Sequence, residues 1–211
     1  VPRGSRLPSM DTLWADGPMA RNIDDLALML YASVGHQIDD PLSFDHSGPS
    51  FLESMQEKDV LKRVAFSPDL SIVSIEKEIA QVCGGAASVF ADLGADVTDD
   101  IPDFSGVLEA FQTLRAVLFA TLMEPILKQH RQQIAPEIIG NIERGLNIRP
   151  EQIFTAERVR IELYKKVMAF FKTHDFLICP AASIAPFPVE QRYVKEIDGK
   201  LCDRPQKIIY S

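Results

Sequence analysis

One stretch of the chain has the strand, helix and helix-end signals of a βαβ unit, and this feature constrains the fold more than any other. Residues 63–67 (RVAFS) and 95–98 (ADVT) are short runs typical of buried strands. Between them lies a helical pattern over residues 75–93, with Ser74 as its expected N-cap and Gly94 as its stop. Two strands joined by one helix pair in parallel through a right-handed crossover. The sequence therefore predicts an α/β fold.

The remainder of the chain is rich in helical patterns. These cover residues 23–35, capped by Asn22, then residues 104–131, 136–145 and 150–173. Pro125 lies inside the longest pattern and is expected to kink or break it. Residues 176–179 (FLIC) read as a third strand of the same sheet. We therefore expect a single domain over residues 1–211, with a mixed sheet that contains the βαβ unit, helices that cover it and a helix-rich middle.

Charge and cysteine content exclude several classes of protein. The chain has 22 Lys and Arg against 30 Asp and Glu, a net charge of -8. Nucleic-acid binders usually carry a basic surplus, so neither nucleic acid nor an anionic membrane is the expected partner. No apolar stretch reaches the roughly 20 residues of a membrane span. The 3 cysteines match neither a disulfide framework nor a zinc site, which favours a cytoplasmic location.

Few local patterns suggest chemistry. Cys83 precedes two glycines inside a helical pattern, which favours a buried, unreactive thiol where that helix packs closely on a sheet. His36 near Asp39 and Asp40 lacks a second histidine, so no metal site is expected. Phe111 and Phe119 belong to the helix pattern that is apolar on more than one face, which makes them the best candidates for a pocket wall.

One segment resembles a known family. Residues 16–30 (DGPMARNIDDLALML) resemble the segment that follows the catalytic serine region in amidase signature enzymes. Further segments resemble that family in the same order: residues 39–43 (DDPLS), 63–67 (RVAFS), 91–97 (ADLGADV) and 175–182 (DFLICPAA). The resemblance implies a hydrolase of carboxylic amides and spans nearly the whole chain. It adds Ala182 as a third substrate-binding candidate and identifies Gly17, Pro18 and Arg21 as a structural motif.

The resemblance also implies where the chemistry lies. In this family a serine attacks the amide, a second serine in a cis peptide relays the proton, a lysine is the base, and glycine-rich backbone amides hold the oxyanion. All three residues precede the G-P-M-A-R turn, and these 211 residues contain no glycine-serine loop. We therefore expect no catalytic residue and no cofactor in this chain. It would be a C-terminal portion of an amidase domain, inactive alone.

Several alternatives stay open. The chain could belong to the amidating subunit of a tRNA-dependent amidotransferase, or to a non-catalytic α/β scaffolding module. The expected partner of the whole protein is a small amide substrate, and a homodimer is left open. Residues 1–5 (VPRGS) match the remnant of a thrombin site, but they could equally be native, since the family has a G-R-V-P segment at about this place. Arg21 is expected to pair with a carboxylate that holds the fold.

Overall fold

The computed structural model describes residues 1–3, 11–55, 63–191 and 193–202. The helices are α1 (Ile23–Ser33), α2 (Phe51–Ser54), α3 (Lys77–Asp92), α4 (Val107–His130), α5 (Pro136–Leu146) and α6 (Pro150–Phe170). The strands are β1 (Arg63–Phe66), β2 (Asp96–Thr98), β3 (Phe176–Ile178), β4 (Glu196–Ile197) and β5 (Lys200–Leu201).

The chain divides into two compact units. Unit 1 comprises Val1–Asp59 and Gln112–Ile153, and unit 2 comprises Val60–Phe111 and Phe154–Ser211. Helices α4 and α6 each contribute residues to both units. The expectation of a single domain stays a prediction.

Unit 2 is built around a small parallel sheet with the strand order β2-β1-β3. Strand β1 lies in the centre, where Val64 pairs with Val97 on one side and with Phe176 on the other. Val64 and Ala65 are both fully buried, as expected of a central strand of a parallel sheet. The predicted α/β class and the βαβ unit are confirmed. Among the described residues, antiparallel pairing is confined to the separate β4–β5 hairpin and an isolated bridge between Gln37 and Asp40.

Helix α3 is the crossover of the βαβ unit and packs on β1 and β2. A Cβ atom built at Gly84 would lie 3.7 Å from the ring of Phe66, which confirms the close approach of the glycine patch to the sheet. Cys83 is half-buried and therefore more accessible than predicted. Gly94 ends this region in the left-handed conformation, with φ of 94°, as the sequence indicated.

Two helix predictions need correction. Helix α3 begins at Lys77 with Glu76 at its N-cap position, so Ser74 is not its cap. Helix α4 runs through Pro125, so the expected break does not occur, and the alternative of a kink stays a prediction. Proline removes one N–H donor, which leaves the carbonyl of Thr121 without its helical partner. Both residues are exposed, so water can hydrogen-bond to that carbonyl and the helix continues.

Unit 1 contains α1, α2, α5 and most of α4. Asn22 caps α1 as predicted, because its side-chain oxygen accepts a hydrogen bond of 2.8 Å from the N–H of Asp25. Pro136 opens α5 in the first-turn position where a missing N–H costs nothing. The fully buried Ile142 lies on the inner face of α5.

Helix α5 approaches α4 closely at Gly145, and this contact generates a prediction. A Cβ atom at Gly145 would overlap the carbonyl oxygen of Ala116 and would come within 2.7 Å of Cβ of Ala120. Since backbone cannot rotate away as a flexible side chain can, we expect Gly145→Ala to lower the free energy of unfolding by about 1–3 kcal/mol. Urea unfolding measures the change.

Gly140 on the same helix supplies the matched control. A Cβ atom there meets nothing within 4 Å. Gly140→Ala should therefore raise the free energy of unfolding by about 0.5–1 kcal/mol through better helix propensity. Equal effects of the two substitutions would contradict the close packing at Gly145.

Candidate functional site at the carboxyl edge of the sheet

The order of the three parallel strands marks one edge as a binding site. The chain leaves β1 for β2 on one side, and β3 lies on the other side of β1. Ligands of open α/β sheets bind outside the carboxyl ends of the strands, at the point where the strand order reverses. In unit 2 this point is flanked by the β1 loop, residues 67–73, and the β3 loop, residues 179–185.

The β1 loop is held in an unusual backbone conformation. The N–H of Ser67 continues the sheet by donating to the carbonyl of Ile178 at 3.0 Å. The Ser67 hydroxyl oxygen accepts a 2.9 Å hydrogen bond from the N–H of Leu70. Leu70 and Ser71 both have left-handed φ values, 51° and 55°, which side chains with a Cβ rarely adopt. Such strain is concentrated at functional sites in proteins.

The β3 loop contains the predicted substrate-binding residue Ala182. Ser183 and Ile184 are buried, with exposed fractions of 2% and 9%, whereas Ala182 next to them is exposed. Burial, and to a smaller extent the nearby Cys83 thiol, raises the pKa of Cys179 above its ordinary value. The Cys179 thiol is therefore protonated at neutral pH. The structure thus places Ala182 at the carboxyl edge, and its role in substrate binding stays a prediction.

Glu76 joins the β3 loop to the start of helix α3. Its backbone N–H donates to the carbonyl of Ser183 at 2.9 Å. Its Oε2 atom accepts from the N–H of Ala185 at 2.8 Å. No local pattern could have identified this residue, because both partners lie more than a hundred positions away along the chain. Two hydrogen bonds from one residue fix the loop on both sides of Ile184.

A second missed element lies at the same end of α3. Strands β4 and β5 form a hairpin whose turn is Asp198-Gly199, with φ of 48° and 80°. Oδ2 of Asp198 accepts a 2.8 Å hydrogen bond from the N–H of Lys77 and so caps α3 from outside the helix. An Asp-Gly pair is a strong hairpin signal, and it could have identified this turn.

The other two pocket candidates lie on α4. Phe111 falls in unit 2 and Phe119 in unit 1, and both are half-buried. The guanidinium carbon of the buried Arg115 lies 4.7 Å from the centre of the Phe119 ring, a cation–π contact. Arg115 also donates to Oδ1 of Asn141 at 3.2 Å. The substrate-binding roles of Phe111 and Phe119 stay predictions.

The G-P-M-A-R segment lies at the surface of unit 1. Arg21 is exposed and forms no ion pair within the described ranges. It lines a shallow, open groove of about 540 Å³ with its neighbours on the turn and the first helix, namely Met19, Ala20, Asp25, Leu28 and Met29. No Cβ contact restricts Gly17, and Pro18 is half-buried. The structural role of Gly17, Pro18 and Arg21 stays a prediction.

The arginine–carboxylate pair expected of Arg21 is formed by Arg3 instead. Arg3 and Asp40 have exposed fractions of 8% and 4%. Asp40 Oδ1 accepts from Nη2 of Arg3 at 3.2 Å, and Oδ2 accepts from the Arg3 backbone N–H at 2.7 Å. Arg3 also donates to the carbonyl of Asp11. These contacts make Arg3 part of unit 1.

The Arg3 side chain, through its hydrogen bond, lowers the pKa of Asp40 to about 2. A carboxyl whose pKa is lower in the folded state contributes stability above its unfolded pKa, and this is lost as the pH falls through the folded value. We therefore expect Asp40→Asn to lower the free energy of unfolding at pH 7. The difference in the free energy of unfolding between Asp40→Asn and the unsubstituted protein should disappear between about pH 4 and pH 2. Urea unfolding across this range measures the difference.

Asp39 is the matched control for this prediction. It is the exposed neighbour of Asp40, and Asp39→Asn removes the same charge. Its free energy of unfolding should stay within about 0.5 kcal/mol of the unsubstituted protein, as for most surface substitutions. A difference for Asp40→Asn that persists unchanged to pH 2 would show that the carboxylate charge does not stabilise the fold.

The described residues offer no metal cluster and one long apolar helix. Within the described ranges, no group of three or more His, Cys, Asp and Glu side chains is arranged to hold a metal ion. One described segment, Val107–Gln133, is long and apolar enough to cross a membrane, and 39% of its most apolar window is buried. Core helices of water-soluble proteins meet the same criteria, so this segment is weak evidence for a span.

Comparison with known proteins agrees with the fold and identifies the family. The sequence model of the family described as "Amidase" matches residues 1–205. This chain therefore belongs to the amidase family. The crystal structure of a bacterial aryl acylamidase of the amidase signature family matches with a TM-score of 0.74 and 23% identity, over 97% of this chain and 46% of that one.

Two curated relatives are similar in sequence. An acylamidase from Rhodococcus erythropolis is 26% identical over 189 residues, which is 88% of this chain and 40% of the relative. One component of the glutamyl-tRNA(Gln) amidotransferase from Picosynechococcus is 23% identical over 204 residues, which is 83% of this chain and 42% of the relative. The chain thus spans less than half the length of these relatives.

Proposed function

We propose that this chain is part of an amidase that hydrolyses carboxylic amides to an acid and an amine or ammonia. The observation that carries the proposal is the family match over residues 1–205. The acylamidase relative favours hydrolysis over other acyl transfers. In this proposal the attacking serine, the relay serine and the lysine base lie outside the 211 residues, and the chain contributes the substrate-facing carboxyl edge.

Lys165 and Lys166 do not have the surroundings of a catalytic base. A lysine acts as a base only when its ammonium loses a proton, which pairing with a carboxylate opposes. The Nζ atom of Lys165 lies 2.7 Å from Oε1 of Glu162, and Nζ of Lys166 lies 2.7 Å from Oδ2 of Asp103. Both lysines are exposed. The hydrogen bond from Lys166 lowers the pKa of Asp103, as expected when both groups are charged.

The second candidate is the amidating subunit of a tRNA-dependent amidotransferase. The similarity to the glutamyl-tRNA(Gln) amidotransferase component favours it. That protein would need partner subunits and tRNA, and the net charge of -8 speaks against direct contact with nucleic acid. The two candidates differ in substrate, since only the amidase should release an aryl amine from an aryl acylamide without a partner.

We predict that the 211-residue chain alone hydrolyses no amide above the uncatalysed rate. An amide needs an activated nucleophile, a base within hydrogen-bonding reach and oxyanion donors together. The natural protein that contains this chain should release the amine from aryl or aliphatic amides. Assays of both proteins side by side, with circular dichroism as the check on folding, measure the difference.

Four outcomes separate the alternatives. Release of the amine by the natural protein alone supports the amidase. Glutamine hydrolysis that requires tRNA and partner subunits would favour the amidotransferase. Turnover by the 211-residue chain, abolished by a substitution within it, would show that its own side chains are catalytic. A natural protein that is folded but inactive in every assay would favour the scaffolding module.

A further inference from the structure

We propose that Glu76 is a positioning residue for substrate binding, acting through the β3 loop; this rests on the proposed amidase function. Glu76 touches no reacting group in this proposal. It holds the loop that presents Ala182 at the carboxyl edge of the sheet.

Glu76 contacts the β3 loop at two points. Glu76 holds Ser183 through its N–H and Ala185 through its carboxylate, at 2.9 and 2.8 Å. The residue between these partners, Ile184, is buried, with an exposed fraction of 9%. One side of the loop is thus anchored by burial and hydrogen bonding, so the exposed Ala182 has a defined position.

The Glu76 carboxylate is also not used within its own helix. Short polar side chains at the N-cap position accept from the N–H of the second or third helical residue, a role for which the longer Glu side chain is not favoured. The Glu76 side chain makes no such bond. Oδ2 of Asp198 accepts from the N–H of Lys77, the first residue of the helix, at 2.8 Å. Capping is therefore supplied by the hairpin, and the Glu76 carboxylate is directed to the β3 loop.

The β3 loop lies at the edge of the sheet where a ligand is expected. The β3 loop follows the strand that lies beside β1, where the strand order reverses. The strained β1 loop, with left-handed Leu70 and Ser71, lies at the same edge. A binding edge made of two fixed loops lowers the ordering cost of substrate binding, because the loops need not be immobilised by the ligand. Release of the β3 loop should therefore weaken binding more than it slows the chemical step.

The experiment compares kcat and KM of the natural protein with those of three variants, using a short-chain acyl anilide and an aliphatic amide. Glu76→Ala removes the acceptor, and we expect KM to rise about tenfold with kcat within about twofold. Glu76→Gln keeps a side-chain oxygen that can accept from Ala185, so it should restore KM to within about threefold of the unsubstituted value. Glu78→Ala is the matched control.

Glu78 lies in the first turn of the same helix, is exposed and carries the same charge. Its loss perturbs the helix terminus equally without releasing the loop, so KM should not change. If Glu76→Ala does not fold, Glu76→Asp serves instead: its side chain is one methylene shorter and keeps the charge, and the same rise in KM is expected.

The possible results separate this proposal from the proposed function. An unsubstituted protein without amide hydrolysis would overturn the proposed function and the positioning role with it. If the unsubstituted protein is active and KM is unchanged in Glu76→Ala, the positioning role alone is overturned. The same holds for Glu76→Asp if that variant is used because Glu76→Ala does not fold. A rise in KM that Glu76→Gln fails to reverse, or that Glu78→Ala reproduces, would likewise overturn it, since charge at the helix terminus would then be the cause.

Discussion

The pairing of β1 with two neighbours is the constraint on which unit 2 depends. The strand has only four residues, and its ladder reaches β2 through Val64 and Val97 and β3 through Val64 and Phe176. Parallel strands cannot be joined by a tight turn, so each pairing requires a long connection that returns the chain to the same sheet. Helix α3 is one such connection. The chain leaves the carboxyl end of β1 for β2 on one side, whereas β3 lies on the other side, so a crevice can form at this end.

The sequence predicted the elements whose signals are local. The βαβ unit, the Asn22 cap of α1, the start of α5 at Pro136 and the stop at Gly94 follow from residues within a few positions of each other. The right-handed crossover rule then converts local elements into a topology. For this reason the parallel pairing of β1 and β2 could be predicted without any structure.

Two of the incorrect predictions share a physical cause: each depends on contacts between residues far apart in sequence. Ser74 looks like a cap, yet α3 begins at Lys77, because Asp198 accepts from Lys77 and Glu76 binds the β3 loop. Arg21 looks like the pairing arginine of its segment, yet the buried pair joins Arg3 to Asp40, which is 37 positions away. A pattern within one segment cannot specify a partner in another. Of the candidate site, the family resemblance indicated Ala182, and Glu76 could not be found from local sequence, whereas the Asp198-Gly199 turn of the hairpin could have been.

Two carboxylates with different partners meet at the start of α3, and this arrangement connects the tertiary contacts to the proposed function. A capping carboxylate and a loop-holding carboxylate are both available there, one from the hairpin at Asp198 and one from Glu76. If Glu76 capped its own helix, its Oε2 atom would be drawn toward the first turn and the N–H of Ala185 would lose this acceptor. The hairpin is therefore more than a surface turn. It gives the first N–H of α3 an acceptor, while Glu76 fixes the β3 loop. In the proposed function, these contacts between distant segments set the geometry of the edge where the amide binds.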